Sequence, residues 1–303
     1  MEHGYSYEQA LAASERVNWR VEDLIGGDRK LDFGKRFLPE SLARVEPLDF
    51  LSLGEKRLLN QIRGHGYLYM FGTVEEFILP FVLDHARPRL SENDHRVRAL
   101  LRFAEEEAKH IQLFREFRRE FLAGFGHECE VIGPPQAIAE KVMSHHVMAV
   151  ALTILHIEWM TQRHYVESFR EEGDLDPQFR SLLKHHWLEE AQHAKLDTLM
   201  IEALAESCTG EEIDQAFGGY LQIGMFLDGG LGQQVAFDLA AFERAAGRTL
   251  SAAERARFTE VQRQAQRWTF LGSGMTHRNV LATVEYLHAE ARAKLEEIAP
   301  AFC

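Results

Sequence analysis

His186-Trp187-Leu188-Glu189-Glu190-Ala191-Gln192-His193 sets three metal-ligating side chains at helical spacing. Residues three and four apart share one face of an α-helix, so His186, Glu190 and His193 project to the same side. A single Glu-x-x-His pair is common on solvated helices and decides nothing. Its weight comes from a second copy, Glu107-x-x-His110, embedded in the apolar run Leu100, Leu101, Phe103, Ala104, Ile111 and Phe114.

Two copies suit a four-helix bundle in which two helices each supply Glu-x-x-His and the other two each supply one glutamate. Both further glutamates are present. In the run from Tyr67 to Val82, steps of 100° place Glu75 between Leu68, Phe71, Ile78 and Val82, while Glu76 falls toward His65, Thr73 and Asp84. Glu75 is therefore the expected ligand and Glu76 its alternative. Glu158 follows the apolar stretch Val147 to Leu155, with Leu155, Ile154 and Ala151 as its helical neighbours. Glu75 to Glu107 is 32 residues, Glu107 to Glu158 is 51 and Glu158 to Glu190 is 32. Thirty-two residues fit two half-helices and a turn, and the longer middle gap fits a crossover. The order matches an all-α, ferritin-like bundle of two hairpins.

With 303 residues and 46% hydrophobic content, the chain can bury a large core. A net charge of −13 with scattered basic residues argues against a nucleic-acid partner. Cys129, Cys208 and Cys303 form no Cys-x-x-Cys motif and are odd in number, so a reduced, cytoplasmic setting is expected. The first residues lack a signal-peptide pattern, and the longest unbroken apolar stretch, Val147 to Leu155, is far short of the roughly 20 residues a membrane helix needs.

Punctuation along the chain predicts a single domain in three parts. Residues 1–54 read as a strap with a helix over Tyr7 to Ile25 and then irregular chain, its Trp19 and Phe33 packing on the bundle or lining an entrance. Residues 55–208 read as the bundle. Its first helix bends at Pro80, a second begins near the cap Ser91-Glu-Asn-Asp and stops at Gly124 and Gly126, a third runs from Gln136 to Arg170, and Asp176-Pro177 opens the fourth. Residues 209–303 read as additional C-terminal helices at about 211–227, 231–246, 251–271 and 277–298, broken by Gly218-Gly219, Gly229-Gly230 and Gly272-Ser-Gly274.

Four glutamates and two histidines can hold two divalent ions with shared carboxylates. The ligand set read from the residues is Glu75, Glu107, His110, Glu158, His186, Glu190 and His193, with His186 either a ligand or a hydrogen-bond donor to one. Two iron ions are the expected cofactor for oxygen chemistry, and manganese at one or both positions would use the same ligands. Burying so many carboxylates without metal would be costly, because like charges at close range cannot all stay ionised. His145 and His146 read as surface positions, and His156 as flanking the ligand face. Asp197 reads as a surface ion-pair residue, with orientation of the His193 imidazole as the alternative. Tyr165 reads as a packing residue, and Tyr165 or Tyr67 would become redox-active only beside the metals.

On Glu75, Glu107-x-x-His110, Glu158 and above all His186-x-x-x-Glu190-x-x-His193, the sequence resembles the di-iron N-oxygenases of the p-aminobenzoate N-oxygenase type. The histidine one turn before the second Glu-x-x-His is what that family adds to the ferritin-like pattern. The resemblance covers residues 67–200. It implies a cytosolic homodimeric monooxygenase that takes dioxygen, an external electron donor and a small organic substrate such as an arylamine. Iron handling as a ferroxidase, or a heterodinuclear Mn/Fe oxidase, are the alternatives that the residues leave open.

Overall fold

In the computed structural model, which describes residues 3–91 and 94–303, helices begin where side chains can satisfy their free amide groups. After a short helix α1 (Tyr7–Ser14) and a four-residue helix α2 (Glu40–Ala43), a Ser52/Glu55 capping box starts α3 (Leu53–Ala86). Asp94 accepts from the Val97 amide at 3.1 Å to start α4 (His95–Phe125), which ends on Gly126 at φ 78°, a left-handed position that glycine takes without strain. Helices α5 (Pro135–Met143) and α6 (Val147–Arg163) follow, and a π-helical turn (His164–Phe169) extends α6. Asp176 caps α7 (Pro177–Ala205), and Thr209 with Glu212 caps α8 (Gly210–Ala246). Helix α9 (Ala252–Arg267), a second π-helical turn (Trp268–Gly272), α10 (Ser273–Met275), α11 (Arg278–Leu287), α12 (Ala289–Ile298) and a 3-10 turn (Ala299–Phe302) follow.

The bundle is made of α3, α4, α6 and α7. Helices α3 and α4 form one hairpin, α6 and α7 the other, and α5 lies on the crossover between them. This is a ferritin-like four-helix arrangement. The first strap helix and α8 cover different sides, while α2, later in the strap, meets α9. Helix α1 packs against α4 and α7, while α8 packs against α3 and α6, with α9 behind it.

Several boundaries differ from the sequence expectation. The first strap helix stops at Ser14 instead of reaching Ile25, and only one 3-10 turn follows, at Val21–Asp23. Pro80 lies inside α3, which continues to Ala86. The third bundle helix is two helices: His146 turns its side chain onto the Met148 amide and starts α6 afresh, while the Ser144 hydroxyl and His145 ring bond back to the Lys141 carbonyl. The last stretch also divides, at His288. Conversely, Gly218-Gly219 and Gly229-Gly230 lie inside the continuous α8. Gly219 and Gly230 serve close packing there, since a Cβ on Gly219 would sit 3.0 Å from Ala149 and one on Gly230 3.1 Å from Ile132. The expected cap residues Glu92 and Asn93 lie outside the described residues.

By length and composition Leu53–Arg89 could cross a membrane, although polar residues interrupt its apolar stretches. Its buried side chains include Asn60, Gln61, Arg63, His65 and Glu75, which marks a bundle-core helix.

Asp176 joins the strap to the bundle: one carboxylate oxygen accepts from Phe179 at 2.6 Å and the other from the Asp32 amide at 2.8 Å. Asp176→Ala removes the cap and leaves a buried amide unpaired, so urea unfolding should show a loss of about 1–3 kcal/mol. An unchanged midpoint would mean that the strap is not anchored there.

Candidate metal centre

Each of the seven expected ligands is at most 2% exposed. Glu75 comes from α3, Glu107 and His110 from α4, Glu158 from α6, and His186, Glu190 and His193 from α7. Glu76 is half-buried and pairs with Arg115 at 2.7 Å, which leaves Glu75 as the inward carboxylate of that pair.

The donors converge as two overlapping groups. Glu75, His110, His186 and Glu190 offer atoms within 4.8 Å of one another, as do Glu107, His110, Glu190 and His193. In the first, His186 Nε2 lies 3.1 Å from Glu75 Oε1 and 2.8 Å from Glu190 Oε1, and His110 Nδ1 lies 2.9 Å from the same Glu190 oxygen. In the second, His193 Nδ1 is 2.8 Å from Glu107 Oε1 and 3.1 Å from Glu190 Oε2. Glu190 thus turns one oxygen to each group. Glu158 stands outside both groups but faces Glu190.

Two of these distances are hydrogen bonds, His186 to Glu75 and His193 to Glu190 Oε2, but most of the inward-facing atoms have none. Glu107 Oε1 and Oε2, Glu190 Oε1, Glu75 Oε2, Glu158 Oε2 and His110 Nδ1 are all buried without an aligned partner. Native proteins rarely leave buried polar atoms orphaned. Several orphans aimed into one small space fit cations placed among them, and this donor set of carboxylates and imidazoles suits two first-row divalent metals.

The sequence reading missed the outer ring that orients the imidazoles. His110 Nε2 donates to Glu189 at 2.9 Å, and His193 Nε2 donates to Glu106 at 3.0 Å, so each histidine is held by the helix carrying the other. A proton on Nε2 leaves Nδ1 to face inward. The outer carboxylates are themselves anchored. Lys109 donates to Glu189 at 2.5 Å, and Ser14 of α1 donates to Glu106 at 2.5 Å while Arg102 pairs with it at 3.0 Å. Trp19 stacks along His110 with its ring centre 6.2 Å away and receives Lys109 on its face at 4.1 Å, so the strap does more than fill space. The signal was in the chain as a doubled five-residue word, Glu106-Glu107-Ala108-Lys109-His110 and Glu189-Glu190-Ala191-Gln192-His193.

Other expectations divide. Asp197 is not a surface residue: it is 2% exposed, and neither of its oxygens has a hydrogen-bond partner. His156 is buried and bonds the Tyr220 hydroxyl at 2.9 Å through Nδ1. Tyr165 stacks on Trp187 at 4.4 Å. Tyr67 bonds His164 Nδ1 at 3.1 Å and reaches the ligand cluster only through Phe71, whose ring lies 4.4 Å from Tyr67 and 5.7 Å from His186. Phe33 belongs to an aromatic cluster with Phe37, Phe121 and Phe125.

Without metal, protons hold the cluster together. Burial, then the neighbouring Glu107 charge, raises the Glu75 pKa far above the carboxylate range, and burial with Glu190 does the same to Glu158. Burial disfavours charge on His110 and His193, but the Glu190 carboxylate and the hydrogen bonds around them prevail and raise both well above the imidazole range. His186 goes the other way, because burial dominates and keeps the ring neutral.

No protein-family model and no curated protein matches the chain. Among solved structures, it is similar to a point mutant of an R2-like ligand-binding oxidase with an anaerobically reconstituted Mn/Fe cofactor, at 10% identity over 88% of this chain and 94% of that one, TM-score 0.47. A second mutant of such an oxidase, with an aerobically reconstituted Fe/Fe cofactor, gives 12% identity, 88% and 93% coverage and a TM-score of 0.45. Superpositions this loose add nothing to the reading of the site, which rests on its own geometry.

Metal must displace the protons that the raised pKa values keep on Glu75, Glu158, His110 and His193. Loading metal-free protein at neutral pH should therefore release about four protons per chain, and affinity should rise with pH. A pH-stat titration with Fe(II) under nitrogen tests this, and uptake without proton release would contradict the ligand set.

Proposed function

We propose that this protein is a non-haem di-metal oxygenase that holds two iron ions, or iron and manganese, and uses dioxygen and an external electron donor to oxidise a small organic substrate. The ring of buried, unpartnered donor atoms at the crossing of α3, α4, α6 and α7 carries this reading. Glu75, His110 and His186 would serve one ion, Glu158 and His193 the other, and Glu107 and Glu190 both. Two such ions, when reduced, supply electrons to dioxygen. The chain's residues do the rest. Glu106 and Glu189 fix the imidazoles, Glu75 and Glu158 exchange protons for metal, and an apolar cover excludes water.

That cover lies on the carboxylate side of the cluster. Met70, Phe71 and Val74 of α3, beside Glu75, and Ile157 and Met160 of α6, beside Glu158, enclose a cavity of about 30 Å³ with Leu227, Leu231 and Phe270. A second cavity, of about 20 Å³, shares Ile157, Leu227 and Phe270. Leu227 also borders a surface cleft of about 540 Å³ between α5 and α8, lined by Ile132, Ile138, Phe226 and Gly229–Gly230 among others. The inner space is about one water in size, so an organic substrate enters only when Leu227 and its neighbours swing aside. An apolar lining suits an aromatic or aliphatic substrate better than the transit of hydrated iron, which weighs against a ferroxidase. N-oxygenation of an arylamine follows from the family resemblance, as do a homodimer and a cytosolic location.

Elemental analysis of purified protein, with absorption spectra of the reduced form before and after oxygen, tests the proposal. Two metals per chain, at least one of them iron, and a transient visible band that p-aminobenzoate or another arylamine quenches are expected. Protein that takes up no metal even after anaerobic reconstitution would refute it.

The path is tested separately. Leu227→Trp should keep both metals and the oxygen-dependent band but slow quenching by the amine at least about tenfold, since side chains close to native density leave no room for bypass. Unchanged quenching would place the entrance elsewhere.

A further inference from the structure

We propose that Asp197 is an additional metal ligand, which serves the same ion as Glu158 and His193 and makes the two metal positions chemically unequal. The inference rests on the di-metal reading above. Four observations bring it together.

Asp197 continues the ligand stripe of α7. His186, Glu190, His193 and Asp197 are spaced by four, three and four residues and lie on one face of the helix. It is 2% exposed, yet both carboxylate oxygens lack any hydrogen-bond partner. A buried carboxyl with nothing to bond is costly, and no Lys, Arg or amide side chain of the described residues pairs with it. The charges that act on it are those of His193, Glu107 and Glu190, and it acts in turn on Glu158.

Side-chain direction explains how it reaches that place. Side chains tilt toward the N-terminus of their own helix. Helices α6 and α7 run antiparallel within their hairpin, so Glu158 and Asp197 lean toward each other from opposite helices, on the His193 side of the cluster.

The two Glu-Glu-Ala-x-His words give a register for comparing the halves. Four residues before the second glutamate of each word stand Phe103 in α4 and His186 in α7, and four residues after each histidine stand Phe114 in α4 and Asp197 in α7. Both extra donors therefore come from α7, and α4 offers phenylalanines instead. Phe103 stacks on His193 at 3.9 Å, and Phe114 meets His186 edge-on at 5.0 Å. One ion gains an imidazole, His186, and the other gains a carboxylate, Asp197. An oxygen-rich position favours a harder ion such as Mn(II), while two imidazoles favour iron.

The test is anaerobic titration of metal-free protein with Mn(II), with the free ion read by electron paramagnetic resonance. Asp197→Asn and Asp197→Leu, the second removing the polar group, should each bind one Mn(II) as the native chain does and the other at least about tenfold more weakly. His186→Leu should weaken the complementary ion. Thermal unfolding of the metal-free variants should give midpoints at or above the native one, since a buried, unbonded carboxyl has been removed. Native binding of two Mn(II) by both Asp197 variants would overturn the inference and leave the di-metal reading standing. Loss of both ions together with a lowered metal-free midpoint would also overturn it, because Asp197 would then be structural. A native chain that takes up neither Mn(II) nor Fe(II) would refute both readings.

Discussion

Glu75, Glu107, Glu158, Glu190 and Asp197 crowd into the centre of one bundle, where water cannot screen them. At interior dielectric their mutual repulsion would exceed what folding can supply, so the charges must be cancelled locally. Without metal the cancellation comes from protons: Glu75 and Glu158 stay neutral beside Glu107 and Glu190, and His110 and His193 become cations. In the proposed metal-bound form the ions would take over the positive charge and the protons would leave. Stability and metal loading are thus one electrostatic problem.

The surroundings of the cluster follow from this constraint and differ on its two sides. Toward α4 and α7 the support is polar and fixed, with Glu106 and Glu189 anchored by Ser14, Arg102 and Lys109. Those bonds lock the imidazole rings, which a metal site needs if ligand geometry is not to drift. Toward α3 and α6 the support is apolar, with α8 and Phe270 closing small cavities next to Glu75 and Glu158. A polar wall opposite an apolar wall suits the proposed oxidation of an organic molecule that arrives from the apolar side. It also explains why the bundle carries so much additional chain: α1 builds the first wall and α8 the second.

Much of this was legible in the residues because helical periodicity is local. Glu75 was separable from Glu76 by phase alone, and Glu158 by its apolar neighbours. The reading failed where local signals were ambiguous. Gly229-Gly230 reads as a break, yet α8 runs through it, and the roughly 0.5–1 kcal/mol that a glycine costs in a helix is offset at Gly230 by close approach to Ile132 in the chain before α5. His145-His146 reads as mid-helix, yet His146 serves as a cap. Asp197 reads as solvated because an acid on a helix usually is, and only its neighbours on α4 and α6 reveal otherwise.

The sequence by itself determined the donor types offered to the proposed metal site, their order along the chain and their helical faces, since these depend on backbone geometry within one turn. It also held the doubled Glu-Glu-Ala-x-His word, although no single helix shows what the first glutamate is for. Tertiary structure alone decided that Glu106 serves His193 and Glu189 serves His110, that Asp197 turns inward, and that Leu227 separates the inner cavities from the surface. Each of these is a relation between helices distant in the chain, fixed by how ridges of side chains interlock when the bundle closes, and periodicity along one helix carries no record of its neighbour.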